Sequence, residues 1–241
     1  MKITSLKDHD LLKEVTKICS AYLAKRDEIN NGDSLNLIGL GIYATDTMLS
    51  VSNVVSCIDQ LHFSVDMLSG YRAEALPEKM NRYDYIVYGI ENYYLRLTSI
   101  HDRCLRLANI IFNLGLPNRH CNNATIIHNS HIKGTEVANS LKALDKFTNP
   151  FRSHRNAVAH EATYSEESLA QLGLLHHFLD EDESWINYRY PAKKMTDEFV
   201  ANKKTEFHGN LEELELLVTN YFDSINPFFI QKLGDILKGG K

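Results

Sequence analysis

The feature that most constrains this chain is an unbroken helical spacing of apolar residues from Tyr83 to Leu114. Ile86, Ile90, Tyr93, Leu97, Ile100, Cys104, Leu107, Ala108 and Ile111 recur at three- and four-residue steps and form one face over many turns. At about 1.5 Å per residue such a helix is about 45 Å long, the reach of a long arm in a bundle. Gly115 and Pro117 supply the stop signal. The opposite face carries Asn92, Arg96, Ser99, Asp102, Arg103 and Arg106, a largely basic strip.

The same spacing recurs on both sides of this element. Leu11, Val15, Ile18, Cys19 and Tyr22 predict a first helix, with Ser5 as its cap and Asn30-Asn31-Gly32 as its end. Val137, Leu141, Leu144 and Phe147 predict another, closed by Thr148-Asn149-Pro150, where the chain either starts a new helix or kinks the old one. A helix follows from Ser165 through Phe178. Trp185 to Tyr190 is expected to be extended, and Phe199 to Phe222 forms a long helix with a short one after Asn226-Pro227. Residues 118–134, rich in Asn, His and Thr, read as an unusually long loop. With no repeat and no strong linker, one all-α domain over residues 1–241 is expected.

Composition excludes several alternatives. With 26 Lys and Arg against 31 Asp and Glu the formal charge is −5, which is not that of a basic nucleic-acid coat. The four cysteines, Cys19, Cys57, Cys104 and Cys121, form no C-x-x-C pair and are expected to be reduced and buried. Met1 to Ser5 runs straight into Lys7, Asp8, His9 and Asp10 without the apolar core of a signal peptide, and no stretch is apolar enough for a membrane span. A cytoplasmic protein is therefore expected.

The residues that carry chemistry are Arg155-Asn156-Ala157-Val158-Ala159-His160, directly after the Asn149-Pro150 punctuation. On a helix Asn156 and His160 share a face, whereas Arg155 lies about 140° from His160. Arg152 falls near the polar sector and His154 flanks the motif. Burial through Phe151 and Val158 would turn Arg152, Asn156 and His160 towards a cleft or solvent.

Arg155 and His160, with Asn156 second, resemble the Arg-x(4–6)-His signature of the HEPN superfamily, and residues 83–164 resemble the core of a stand-alone prokaryotic HEPN protein. The resemblance implies an antiparallel helical bundle, here with additional N- and C-terminal helices. It also implies a metal-independent endoribonuclease of the toxin or phage-defence kind that needs no cofactor and acts as a homodimer. The alternative it leaves is a non-catalytic HEPN-fold module that binds nucleic acid, a nucleotide or a protein. In the catalytic case His160 is the acid or base, since an imidazole titrates near about 6.5. Arg155 offers a planar fork to phosphate oxygens, and Asn156 orients the imidazole. Arg152, His154, Asp102 and Arg103 are candidate contacts to RNA, Asp102 also as an ion partner that would hold Arg155. Some relatives of this kind are silenced by modification of a Tyr two residues after the motif His. That position is Ala162 here and the nearest tyrosine is Tyr164, so an adenylylating antitoxin is not expected and any antitoxin or regulator is of unknown identity.

Two weaker patterns complete the reading. Gly39-Leu40-Gly41-Ile42-Tyr43-Ala44, with Asp59 downstream, matches a dinucleotide fingerprint that would require a strand before it; close helix packing is the alternative. His120, Cys121, His128 and His131 could ligate zinc, but at no familiar spacing, and no metal is expected.

Overall fold

The computed structural model describes residues 6–25, 35–72, 80–160, 163–164, 166–181 and 183–238, and among these there is no β-strand. The helices are α1 (Asp10–Lys25), α2 (Leu35–Met67), α3 (Arg82–Ile111), α4 (Asn123–Ile126), α5 (Glu136–Thr148), α6 (Arg152–His160), α7 (Glu167–Glu181) and α8 (Arg189–Lys238). No helix among the described residues is long and apolar enough to cross a membrane. The contacts gather into two compact units, to which α2, α3 and α8 each contribute a part.

One unit holds α1, the first part of α2, the second part of α3, α4, α5 and the end of α8. Its core is apolar and aromatic: Leu11 and Val15 of α1, Val51 and Val54 of α2, Ile100 and Leu107 of α3, Leu141 and Leu144 of α5, and Tyr221, Phe222 and Phe229 of α8 are all buried. Buried phenols need partners. Tyr221 donates to the Cys104 carbonyl at 2.7 Å, and Tyr43 donates at 3.1 Å to the carbonyl of Ile111, one of the carbonyls that the end of α3 leaves open. All four cysteines are buried and none is in a disulfide.

Gly39 and Gly41 lie inside α2, so the strand-turn-helix that a dinucleotide fingerprint needs is replaced by helix. Gly41 is packed directly beneath the Tyr22 ring of α1, where an added Cβ would come within 2.0 Å of a ring carbon. The glycine is there for close approach of two helices.

Three expectations about the chain's course are corrected. The stop of α3 comes before Gly115. Asn113 takes the left-handed conformation at φ 53°, with Leu114 N–H on Asn109 O at 2.9 Å and Asn113 N–H on Ile110 O at 2.9 Å, a Schellman ending. The Asn109 side chain then clamps the outgoing chain through both polar groups of Leu116, at 2.9 and 3.0 Å. Next, residues 118–134 do not form a loose loop. They fold as a 3-10 turn (Asn118–His120), α4 with a reciprocal Asn122/Thr125 capping box, and turns, all pinned by the buried Ile126, Ile127 and Ile132. Finally, α8 runs through Pro227 without a break: Ile225 and Phe229 are both fully buried around it, and that packing outweighs the one backbone bond that proline cannot make. Ser5 and Asn30-Asn31-Gly32, expected to bound α1, lie outside the described residues, and His9 caps the helix by accepting from Leu11 N–H at 3.1 Å.

The second unit holds the end of α2, the start of α3, α6, α7 and the first part of α8. Its centre is aromatic: Tyr93 lies flat on Phe207 with centroids 3.7 Å apart, and Tyr94 meets Phe207 edge-on at 5.6 Å. The segment expected to be extended before α8 is a 3-10 turn, Glu183–Tyr188, held by Trp185 stacked on Phe178 at 4.9 Å and tilted against Tyr188 at 5.0 Å. Indole stacking thus sets a compact turn where alternating pattern alone suggests an extended one.

Candidate functional site

Asn149-Pro150-Phe151 forms a 3-10 turn between the end of α5 and the start of α6. Proline at the joint cannot donate to the preceding turn, and α6 runs for the nine residues that carry the whole motif.

Within the second unit α6 is fastened by its aromatic side. Tyr94 of α3, almost wholly buried, receives the Phe151 ring at 6.0 Å, the His154 ring at 4.7 Å and the Tyr164 ring at 5.2 Å. His154 is therefore a packing group, wedged between Tyr94 and the edge of Tyr164 at 5.4 Å. The chain after the motif is tied back as well: Tyr164 N–H donates to Glu91 Oε1 at 2.8 Å. Arg155 is half-buried and its Nε donates to Asn156 Oδ1 at 3.1 Å, while Asn156 itself is exposed. Asn156 was expected to orient His160; here it presents the Arg155 fork. The backbone of His160 closes α6, and its side chain, like Ala162, lies outside the described residues. Arg152 is half-buried on the same helix.

Asp102 and Arg103 belong to the other unit, where they line a polar pocket of about 260 Å³ with Ser50, Asn53, Ser99 and Arg106. Arg103 is held there by Ser99 Oγ at 3.2 Å and the Asn53 carbonyl at 3.1 Å. The pocket gathers these two residues from the basic strip, whereas Arg152, His154, Arg155, Asn156 and His160 share α6. Among the described residues no group of three or more His, Cys, Asp or Glu is arranged to hold a metal, and Cys121 points its thiol at the Pro117 carbonyl, 3.7 Å away.

Below Tyr94 lies a polar network that pattern reading missed. Lys203, only 7% exposed, donates to Glu166 Oε2 at 3.0 Å and Glu206 Oε2 at 2.9 Å, and Tyr164 donates to the same Glu166 oxygen at 2.8 Å. The Lys203-Lys204 pair reads in sequence as solvated charge that could steer RNA; instead Lys203 is buried, and Lys204 donates to Ser69 Oγ at 3.2 Å. The signal was present: Phe199, Lys203 and Phe207 fall at four-residue steps, which places the lysine on the apolar face of α8.

Burial works to raise the Glu166 pKa, but the hydrogen bonds from Lys203 and Tyr164 outweigh it and leave the carboxyl below its ordinary value. Burial likewise works to lower that of Lys203, and its bonds to Glu206 and Glu166 outweigh it and leave the ammonium above its ordinary value. Burial pushes the phenols of Tyr94 and Tyr164 well up, so both stay protonated. The lowered carboxyl stabilises the fold above its unfolded value of about 4.3, and that contribution is lost as pH falls through the folded value. The raised ammonium stabilises below about 10.4, and its contribution is lost as pH rises through the folded value. Lys203→Met is expected to cost about 2 kcal/mol at neutral pH, less than for a sealed ion pair because Glu206 is half open to water. It should also flatten the stability profile at both ends. Urea midpoints across that pH range read the effect, and a variant with the wild-type profile would remove the network from the account.

A fold that is all-helical among its described residues is the one the HEPN class adopts. The chain belongs to the Cthe2314-like HEPN family, whose model matches residues 43–226, and so spans α3, α6 and most of α8. No curated protein and no solved structure matches the chain.

Proposed function

We propose that this protein is a metal-independent endoribonuclease of the toxin or phage-defence kind, cytoplasmic and active as a homodimer. The observation that supports the reading best is α6 itself, a short helix carrying Arg155 and His160 and anchored through Phe151 and His154 on Tyr94. Membership of a HEPN family supports it as well.

In this reading His160 removes the proton from a ribose 2′-hydroxyl, or returns one to the departing 5′-oxygen. The 2′-oxygen attacks the adjacent phosphorus, the bond to the 5′-oxygen breaks, and the products are a 2′,3′-cyclic phosphate and a 5′-hydroxyl. Charge accumulates on the non-bridging oxygens as this happens. Arg155, permanently cationic and with its Nε engaged by Asn156, retains terminal N–H groups to meet them. One helix supplies one imidazole and one arginine that diverge by about 140° around it, and a two-fold pair would bring two of each to a shared cleft.

The test is a mixed RNA pool incubated with purified protein in excess EDTA, with analysis of product ends and sedimentation of the active species. Cyclic phosphate ends made by a dimer are the expected result. Cleavage that EDTA abolishes, or product ends carrying a 5′-phosphate, would refute the mechanism, and full activity in a strict monomer would refute the dimer.

A further inference from the structure

The second unit contains another concentration of charge, which the motif does not use. A cavity of about 580 Å³, within the size range of ligand pockets, lies among Tyr71, Arg82, His176, Arg189, Lys193 and Asp197. Asp197 pairs with Arg82. Arg189 and Lys193, one turn apart at the start of α8, are both exposed and, among the described residues, make no ion pair or hydrogen bond. The first turn of α8 has no acidic residue, so these cations sit where they oppose the helix dipole. Fold stability does not explain them.

Exposed aromatic residues flank Arg189 in the chain, and Tyr190 and Lys193 are three residues apart on α8. Tyr190, next to Arg189, is 76% exposed, Tyr188 is 52% exposed, and Tyr188 is braced by Trp185, itself stacked on Phe178. Two unpaired cations beside open aromatic rings are the combination that tracks a single-stranded phosphate backbone while its bases stack. A duplex has its bases already stacked and gains only the charge term. An acidic protein surface would use the cations as well, and is told apart from RNA by whether polyglutamate binds as tightly.

We infer that the Arg189/Lys193 pocket, with the exposed Tyr190 three residues before Lys193 on α8, is a binding site for single-stranded RNA, separate from the residues that cleave it. The inference deepens the nuclease reading and rests on it for the choice of RNA. Arg189 and Lys193 hold phosphates, and Tyr190 supplies a stacking surface with no base preference.

Fluorescence anisotropy of the full chain with a labelled single-stranded 2′-O-methyl RNA tests this, because the blocked 2′-oxygen prevents cleavage. Arg189→Glu/Lys193→Glu is expected to weaken binding at least about tenfold and to reduce the log affinity against log salt slope by about 1.4, the share of two phosphate contacts. Tyr190→Ala is expected to lose about fivefold or more with the slope unchanged. Lys17→Glu/Lys142→Glu, two exposed lysines of the other unit, makes the same change in net charge and should leave affinity within about twofold. Circular dichroism confirms that each variant is folded.

Equal affinity and slope in Arg189→Glu/Lys193→Glu and wild type would overturn the inference. So would polyglutamate binding as tightly as RNA with Tyr190→Ala silent, which would assign the pocket to an acidic protein. The two readings fail separately. If His160→Ala loses cleavage and the pocket variant binds normally, the nuclease stands and this site falls; if wild type never cleaves yet the pocket variant loses RNA, the site stands and the nuclease falls.

Discussion

His160→Ala is expected to lower the rate of RNA cleavage by a factor of about 10² to 10⁴, the span that general acid-base groups contribute, while leaving the fold intact. The residue ends α6, and the ring contacts that fasten this helix come from Phe151, just before its start, and His154, about two turns or more earlier. Its loss should therefore cost chemistry and little stability. Arg155→Ala is expected to cost about 10² to 10³ through the transition state, with substrate affinity less affected. Arg155→Lys separates charge from shape: a lysine keeps the cation but has no fork, and its ammonium cannot reproduce both the Asn156 contact and the phosphate contact. A partial rescue is expected. Single-turnover cleavage of one labelled RNA, with thermal melting alongside, reads all three variants. If His160→Ala retained wild-type cleavage, the motif would be structural and the nuclease reading would fail.

The largest effect on stability is expected at Tyr94. This ring contacts α6, the segment that follows it, and Phe207 of α8, all from a position 2% exposed. Tyr94→Ala removes a buried aromatic of the kind that costs about 3–5 kcal/mol, a large share of an ordinary domain's stability. It also removes the surface on which α6 rests. Amide exchange should accelerate across residues 152–160 more than in the rest of the unit, and cleavage should fall further than the loss of folded protein explains. Tyr94→Phe keeps the ring and gives up the hydroxyl's hydrogen bond with Tyr164 and its 3.5 Å contact to Glu206, so it should retain most of the order and activity. A Tyr94→Ala chain that melts within about 1 kcal/mol of wild type, with unchanged exchange in α6, would mean that the stack does not anchor the motif.

Much of the helical framework could be read from spacing because long amphipathic helices repeat one signal many times. α3 was placed to within a few residues from nine apolar positions, and the Asn149-Pro150 joint marked the start of α6 because proline has few places it can stand. Residues 118–134 were misread because α4 has a single turn, too short for any period to show, and its order comes from three isoleucines and a capping box. α8 was divided at Pro227 by a local rule that burial of its neighbours overrides. The motif residues are legible as a string, and helical spacing alone puts Asn156 and His160 on one face with Arg152 near it. What holds them was not: Tyr94, Glu91 and Lys203 are distant in sequence from α6, and their meeting with it and with Glu166 depends on packing that no local pattern encodes.

Tyr164 shows what such packing does to access. The phenol is 3% exposed, its oxygen is committed to Glu166, and its own backbone N–H is tethered to Glu91. An enzyme that transfers a group to hydroxyls would find no target while this segment is closed. The yield of such a reaction would be set by how often the tether and the hydroxyl release together and by how long they stay apart, whatever the power of the transferring enzyme. The residue is in effect time-locked.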